Sequence, residues 1–235
     1  MRSEGDLEGR GVVVTGAGSR IGRASALGFA ALGAKVLVTD RDGDAAIQVV
    51  KTITYAGGIA RAVTGDPCDP RVVDEVVTTS VGTFGGLDVL VHNTGIPDRT
   101  TALADTDDPD DTEWHRVIAA GLTAPYLLTR AALPHMLARG HGAIVLTVSE
   151  AGLRGGAAGA ACTAVAHGAV GLVKSLAARY REHGIRANAI ATPIDAGIDP
   201  GRGDSCAEPA EQADAVLFLA SGAAKKVNGV VLPVG

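Results

Sequence analysis

One stretch near the start, VVVTGAGSRIGRASALGF at residues 12–29, restricts the fold more than any other. A β-branched run breaks at a glycine and passes at once into a helix-period segment, so a strand must end in a tight turn from which a helix starts. Gly16 permits that turn, Gly22 lets helix and sheet approach closely, and the N–H groups of Ser19, Arg20 and Ile21 open a helix N-terminus able to receive a pyrophosphate. Such a turn alone is a weak sign. VLVTD at residues 36–40 strengthens it, because Asp40 then stands at the tip of the second strand, where a carboxylate accepts hydrogen bonds from an adenosine ribose. Asp40 also argues against a 2′-phosphate, since two anions would face each other, although Arg41 beside it softens the argument. NAD is the expected cofactor.

The rest of the chain repeats the same alternation. Strands are expected at 12–15, 35–39, 59–64, 89–92, 143–148, 186–190 and 230–233, and helices near 21–32, 44–55, 71–84, 112–137, 160–182 and 208–220. The second helix should start at Asp44 and stop before Gly57 and Gly58. Right-handed crossovers then make a doubly wound, parallel, seven-stranded α/β sheet the economical topology, with residues 1–235 as a single domain. The residues are 46% hydrophobic but only 3% aromatic, so the core must be built from Ala, Val, Leu and Ile packed close to backbone.

A net charge of −5 without a basic run leaves no electrostatic footprint for nucleic acid or anionic membrane. Cys68, Cys162 and Cys206 are spaced for neither a disulfide framework nor zinc, and no metal site is expected. The N-terminus lacks the apolar run of a signal peptide and no run reaches spanning length, which points to a soluble, cytoplasmic protein. The acidic segment DTDDPDDTE at 105–113 reads as a solvated loop that places charge at a helix N-terminus, with a Ca²⁺ site as the other reading.

Over nearly its whole length the chain resembles the short-chain dehydrogenase/reductase family. TGAGSRIG (15–22) is similar to that family's glycine-rich cofactor loop, and GDPCD, with Asp66, to its adenine-side segment. HNTG (92–95), with Asn93 and Gly95, resembles the family's NNAG. IVLTVSEAGLRG leads to the position of the catalytic serine at Ser149, and RANAIATPID resembles the segment that closes over the nicotinamide. DAVLFLAS and NGVVLPVG resemble the last helix and strand. The resemblance implies a Rossmann-like fold, a small-molecule substrate and assembly as dimers or tetramers.

The departures from the family matter as much. The loop's middle glycine is Arg20, a replacement found in pteridine-reductase-like members; the family's tyrosine falls on Cys162, its lysine on Ala166 and its helix asparagine on Gly121. In the family the tyrosine hydroxyl moves the proton and the lysine lowers its pKa. Cys162 is shorter and has no lysine beside it. Segment 194–208 is short for the family's substrate lid. His92, His115 and His167 read as structural, and Glu150 as a solvated neighbour of Ser149. The expectation is an NAD-binding, non-catalytic or regulatory subunit, a homo-oligomer or a partner of an active relative, contacting through the helices at 112–137 and 160–182. The alternative is an atypical enzyme: an NAD-dependent oxidoreductase using Ser149, or a cyclase or dehydratase that reuses the pocket, with Ser149 and Cys162 as the candidate catalytic residues.

Overall fold

The β-branched runs pair in parallel because a helix returns the chain to the same end of the sheet after each strand. The computed structural model describes residues 6–93, 111–154, 158–193 and 208–235. Its strands are β1 (Gly11–Thr15), β2 (Lys35–Asp40), β3 (Ile59–Thr64), β4 (Val89–Asn93), β5 (Gly142–Ser149), β6 (Ile185–Thr192) and β7 (Val231–Pro233). They form one seven-stranded parallel sheet, as expected, and its order is β3-β2-β1-β4-β5-β6-β7. Val12 faces Val36 on one side and Val89 on the other, and Ser149 faces Thr192. The order reverses between β1 and β4, which opens a crevice at their C-terminal ends.

Helices cover both faces: α1 (Arg20–Ala31), α2 (Gly43–Tyr55), α3 (Pro70–Phe84), α4 (Thr112–Ile118), α5 (Ala124–Arg139), α6 (Ala160–Tyr180) and α7 (Pro209–Ala220). Leu90, Ile144 and Leu146 pack with Val77 of α3, Leu128 of α5 and Val173 of α6. Val12, Val91 and Val145 pack on the other face with Phe29 of α1, Val49 of α2 and Val216 of α7. Each buried Val, Leu or Phe contributes about 1.5–3 kcal/mol relative to exposure. The continuous apolar strands are therefore dictated by burial on both faces.

The structure corrects three sequence expectations. Asp42, not Asp44, caps α2: its side chain accepts the Ala45 N–H at 3.0 Å, and Asp44 sits in the first turn. The single helix expected at 112–137 is α4 and α5 joined by a π-helical turn, Ala119–Thr123. Two helical runs, Thr112–Arg139 and Ala160–His183, are long and apolar enough to cross a membrane by length and composition, against the expectation that no run reaches that length. Here they lie on the sheet, where Leu128, Met136 and Val173 are buried in its core.

At the opposite end of the sheet from the crevice, Asp88 is only 5% exposed. Its carboxylate accepts the Gly11 N–H at 2.9 Å and faces Arg10, Arg139 and His141 at 3.3, 3.2 and 2.6 Å. Burial pushes the Asp88 carboxyl up, but the Gly11 N–H, the His141 hydrogen bond and the charges of Arg139 and Arg10 outweigh it and hold it below its usual range. A depressed carboxyl stabilises the fold above its unfolded value, and that stability is lost as pH falls through the folded value. Asp88→Asn should therefore lose on the order of 1–2 kcal/mol at pH 7, because it keeps an acceptor for the Gly11 N–H but removes the charge opposite two half-exposed arginines. In urea titrations at successively lower pH the gap between variant and parent should close below pH 4, as the parent's carboxyl is protonated too.

Candidate active site

The crevice between β1 and β4 is shaped by one turn and the side chain that ties it down. Gly16 has φ +59, a left-handed conformation that costs glycine little. Asn93, 3% exposed at the end of β4, donates through Nδ2 to Gly16 O at 3.2 Å and to Ser19 Oγ at 2.5 Å. Ser19 donates to Gly16 O at 2.8 Å and caps α1 by accepting the Gly22 N–H at 3.2 Å. A Cβ on Gly22 would lie 2.2 Å from Gly16 O, so only glycine fits. The turn thus presents the positive end of α1 to the crevice, a cradle suited to a pyrophosphate. Ile21 is half-buried in the first turn, and Arg20 is exposed there.

Asp40 ends β2, and its carboxylate accepts the Gly18 N–H at 2.8 Å and the Asp42 N–H at 2.9 Å. Beside it Arg41 is paired with Asp66 at 2.8 Å. Burial pushes the Asp66 carboxyl up, but the Cys68 N–H and the Arg41 guanidinium outweigh that and hold it below the usual carboxylate range. Gly16, Ser19, Asp40, Arg41 and Asn93 line a cleft of about 360 Å³ whose far wall includes Arg116, Ala124 and Leu128. Sequence reasoning missed that wall, because α4 and α5 reach it only through the π-helical turn. His92 also lines it, fully buried and 2.9 Å from Thr129 Oγ1. Burial lowers its pKa to about 3, so the ring is neutral at pH 7.

Ser149 closes β5, and its Oγ accepts the Ala151 N–H at 3.1 Å. Glu150 pairs with Arg154 at 2.8 Å. Cys162 is half-buried in the first turn of α6, and Ala166, one turn on, is 2% exposed. The turn after Ser149 packs on that helix so closely that a Cβ on Gly152 would lie 2.9 Å from Ala166 O. A Cβ on Gly121, in the π-helical turn, would lie 2.4 Å from Val165 Cγ1. Close helix contact therefore occupies the space a longer residue 121 would need. His167 Nδ1 lies 3.0 Å from Thr163 O and His115 is exposed; among the described residues no group of three His, Cys, Asp or Glu could hold a metal ion. Gly95, residues 194–207 and most of the acidic segment lie outside the described residues.

A family model described as short chain dehydrogenase matches residues 10–197. The chain belongs to the short-chain dehydrogenase/reductase family. It is 38% identical to a cis-4-hydroxycyclohexanecarboxylate dehydrogenase of Sinomonas cyclohexanicum, over 96% of this chain and 94% of the relative. It is 36% identical to a cyclohexanol dehydrogenase of Acinetobacter sp., over 92% and 90%. Among solved structures, a protein of Beutenbergia cavernae assigned as an NAD(P)-dependent gluconate 5-dehydrogenase, with NADP bound at low occupancy, superposes with a TM-score of 0.85. That pair is 35% identical over 97% of each chain. The expectation of a non-catalytic or regulatory subunit is overturned by these relatives: they match nearly end to end and are named as working dehydrogenases. Loss of familiar side chains at positions 121, 162 and 166, with a short segment at 194–208, was too narrow a ground for it.

The packing at the π-helical turn is open to test. Gly121→Asn should cost about 1–3 kcal/mol by overpacking against Val165. In the same chain Val165→Ala should recover most of that loss in a urea titration, whereas two independent sites would simply add.

Proposed function

We propose that the protein is an NAD(P)-dependent oxidoreductase acting on a small alcohol or its ketone, with NAD preferred over NADP. The observation that carries this reading is the cofactor turn: Gly16, Ser19 and Gly22 are locked by Asn93, with Asp40 2.8 Å from the Gly18 N–H. Backbone donors there fit a pyrophosphate, and the Asp40 carboxylate fits a ribose diol. Arg41, a neighbouring cation that could favour a 2′-phosphate, is engaged by Asp66. When bound, the nicotinamide supplies or accepts the hydride. The relatives named for cyclohexanol and 4-hydroxycyclohexanecarboxylate favour a secondary alcohol on a six-membered carbon ring as substrate.

The chain's own part is to move a proton at the substrate oxygen. Ser149 Oγ accepts from Ala151, which leaves its O–H to donate to that oxygen. Cys162 and Ala166 stand where family resemblance puts a tyrosine and a lysine, so no lysine ammonium on α6 tunes the proton donor. In this reading the proton passes between the substrate oxygen and solvent through Ser149. Positioned proton transfer is worth about 10²- to 10⁴-fold, so Ser149→Ala should lower kcat for cyclohexanol oxidation by about 10²-fold and leave the KM for NAD unchanged. Cys162→Ala should match the parent. An unchanged kcat in Ser149→Ala with a loss in Cys162→Ala would move the role to the thiol.

Assembly follows the exposed faces of α4, α5 and α6. Trp114 and Tyr126 are 42% and 48% exposed on α4 and α5, with Arg130 over the Tyr126 ring at 5.7 Å. On α6 the open face carries His167, Gly171, Lys174 and Ala178, small enough in part for close helix approach. In this reading two copies pair through these helices. Light scattering should give at least twice the 23.6 kDa chain mass, and Tyr126→Asp should shift it toward the monomer.

A further inference from the structure

Three buried polar atoms on one side of the sheet have no hydrogen-bond partner among the described residues: Asn93 Oδ1, Thr147 Oγ1 and Ser25 Oγ. Asn93 and Thr147 are register partners on β4 and β5, so their side chains share a face. It is the face of Val91 and Val145, two residues earlier on each strand, which pack with α1 and α7. Ser25 lies on the buried side of α1, three residues beyond Gly22, where an added Cβ would sit 2.8 Å from Asn93 Nδ2. The exposures are 3% for Asn93, 6% for Thr147 and 0% for Ser25.

An unpaired buried hydroxyl or amide oxygen costs more than a typical hydrogen bond contributes. Here the two neighbours are complementary, since the Thr147 O–H can donate and Asn93 Oδ1 can only accept. Partners on adjacent strands stand about 4.8 Å apart, yet Thr147 Oγ1 and Asn93 Oδ1 are not bonded to each other, and one bridging molecule would pair both. We propose that Thr147 and Asn93 hold an internal water beneath the cofactor turn: it accepts from Thr147 Oγ1 and donates to Asn93 Oδ1, with Ser25 Oγ placed to supply a further partner.

The consequence reaches the cofactor, and this part rests on the reading of the turn as its cradle. The opposite end of the Asn93 amide donates to Gly16 O and Ser19 Oγ. A donor at Oδ1 sets which way the amide points and polarises its N–H groups, strengthening the bonds that hold the turn. Thr147 is thus a positioning residue, acting on the turn through water and Asn93.

Thr147→Val keeps the shape and deletes the hydroxyl, so the sign of its effect decides the matter. A bridged hydroxyl is missed: the melting temperature of the full chain without cofactor should fall by a few degrees in Thr147→Val, with Thr147→Ser above it. A melting temperature equal to or above the parent's would mean the hydroxyl was unpaired and would overturn the water site. NADH titration then tests the positioning role, with the Kd raised about 2- to 10-fold in Thr147→Val but not in Thr147→Ser. An unchanged Kd in Thr147→Val would overturn that role. A parent chain that binds neither NADH nor NADPH would refute the cofactor reading instead, while the melting result still judges the water.

Discussion

The amide of Asn93 is the contact on which the rest of this architecture turns. It joins the end of β4 to the glycine turn that follows β1, across the point where strand order reverses. Without that tie, the turn would be held across strands only from β2, by Thr39 O and the Asp40 carboxylate. With it, the start of α1 is held in one orientation, and the dipole and backbone donors of that helix become a fixed feature of the cleft. Asp40 makes a similar closure on the other side, accepting N–H groups from the turn after β1 and from the start of α2. The Asn93 contact to Gly16 and the Asp40 contact to Gly18 both join different strands' ends, so the cleft is an outcome of sheet assembly.

On the other side of the crevice, small residues have the opposite effect: they bring helices together. Gly121 and Gly152 admit Val165 and the Ala166 carbonyl at distances no larger residue would allow. The π-helical turn between α4 and α5 gives the backbone the extra residue it needs to pass over α6 and still return Leu128 and Met136 to the core. Close packing here leaves no room for a longer side chain at position 121.

Much of the sheet was legible along the chain, because strands buried on both faces must be uninterruptedly apolar and the helices between them must be amphipathic. Asp40, Gly16 and Gly22 were legible for the same kind of reason, since each needs only a position relative to a strand end. Arg116, Ala124 and Leu128 of the cleft wall were not, because nothing local marks a helix residue that faces a crevice formed by strands elsewhere. The cap of the second helix was misread by two residues, as Asp42 and Asp44 can both serve and backbone geometry chooses. The inference from Cys162 and Ala166 to an inert subunit failed for a different reason: a list of missing groups says nothing of what the remaining ones can do.

By itself the sequence determined the order of elements, the parallel pairing and the place of the glycine turn, all of which follow from local periodicity and backbone freedom. Only the tertiary structure decided that Asn93 locks the turn, that Arg41 is committed to Asp66, that the ring of His92 is buried and neutral, and that Thr147 and Asn93 sit side by side beneath the cradle. These depend on which side chains meet across strands far apart in the chain. Such meetings are set by register and burial, quantities that exist only once the sheet has closed.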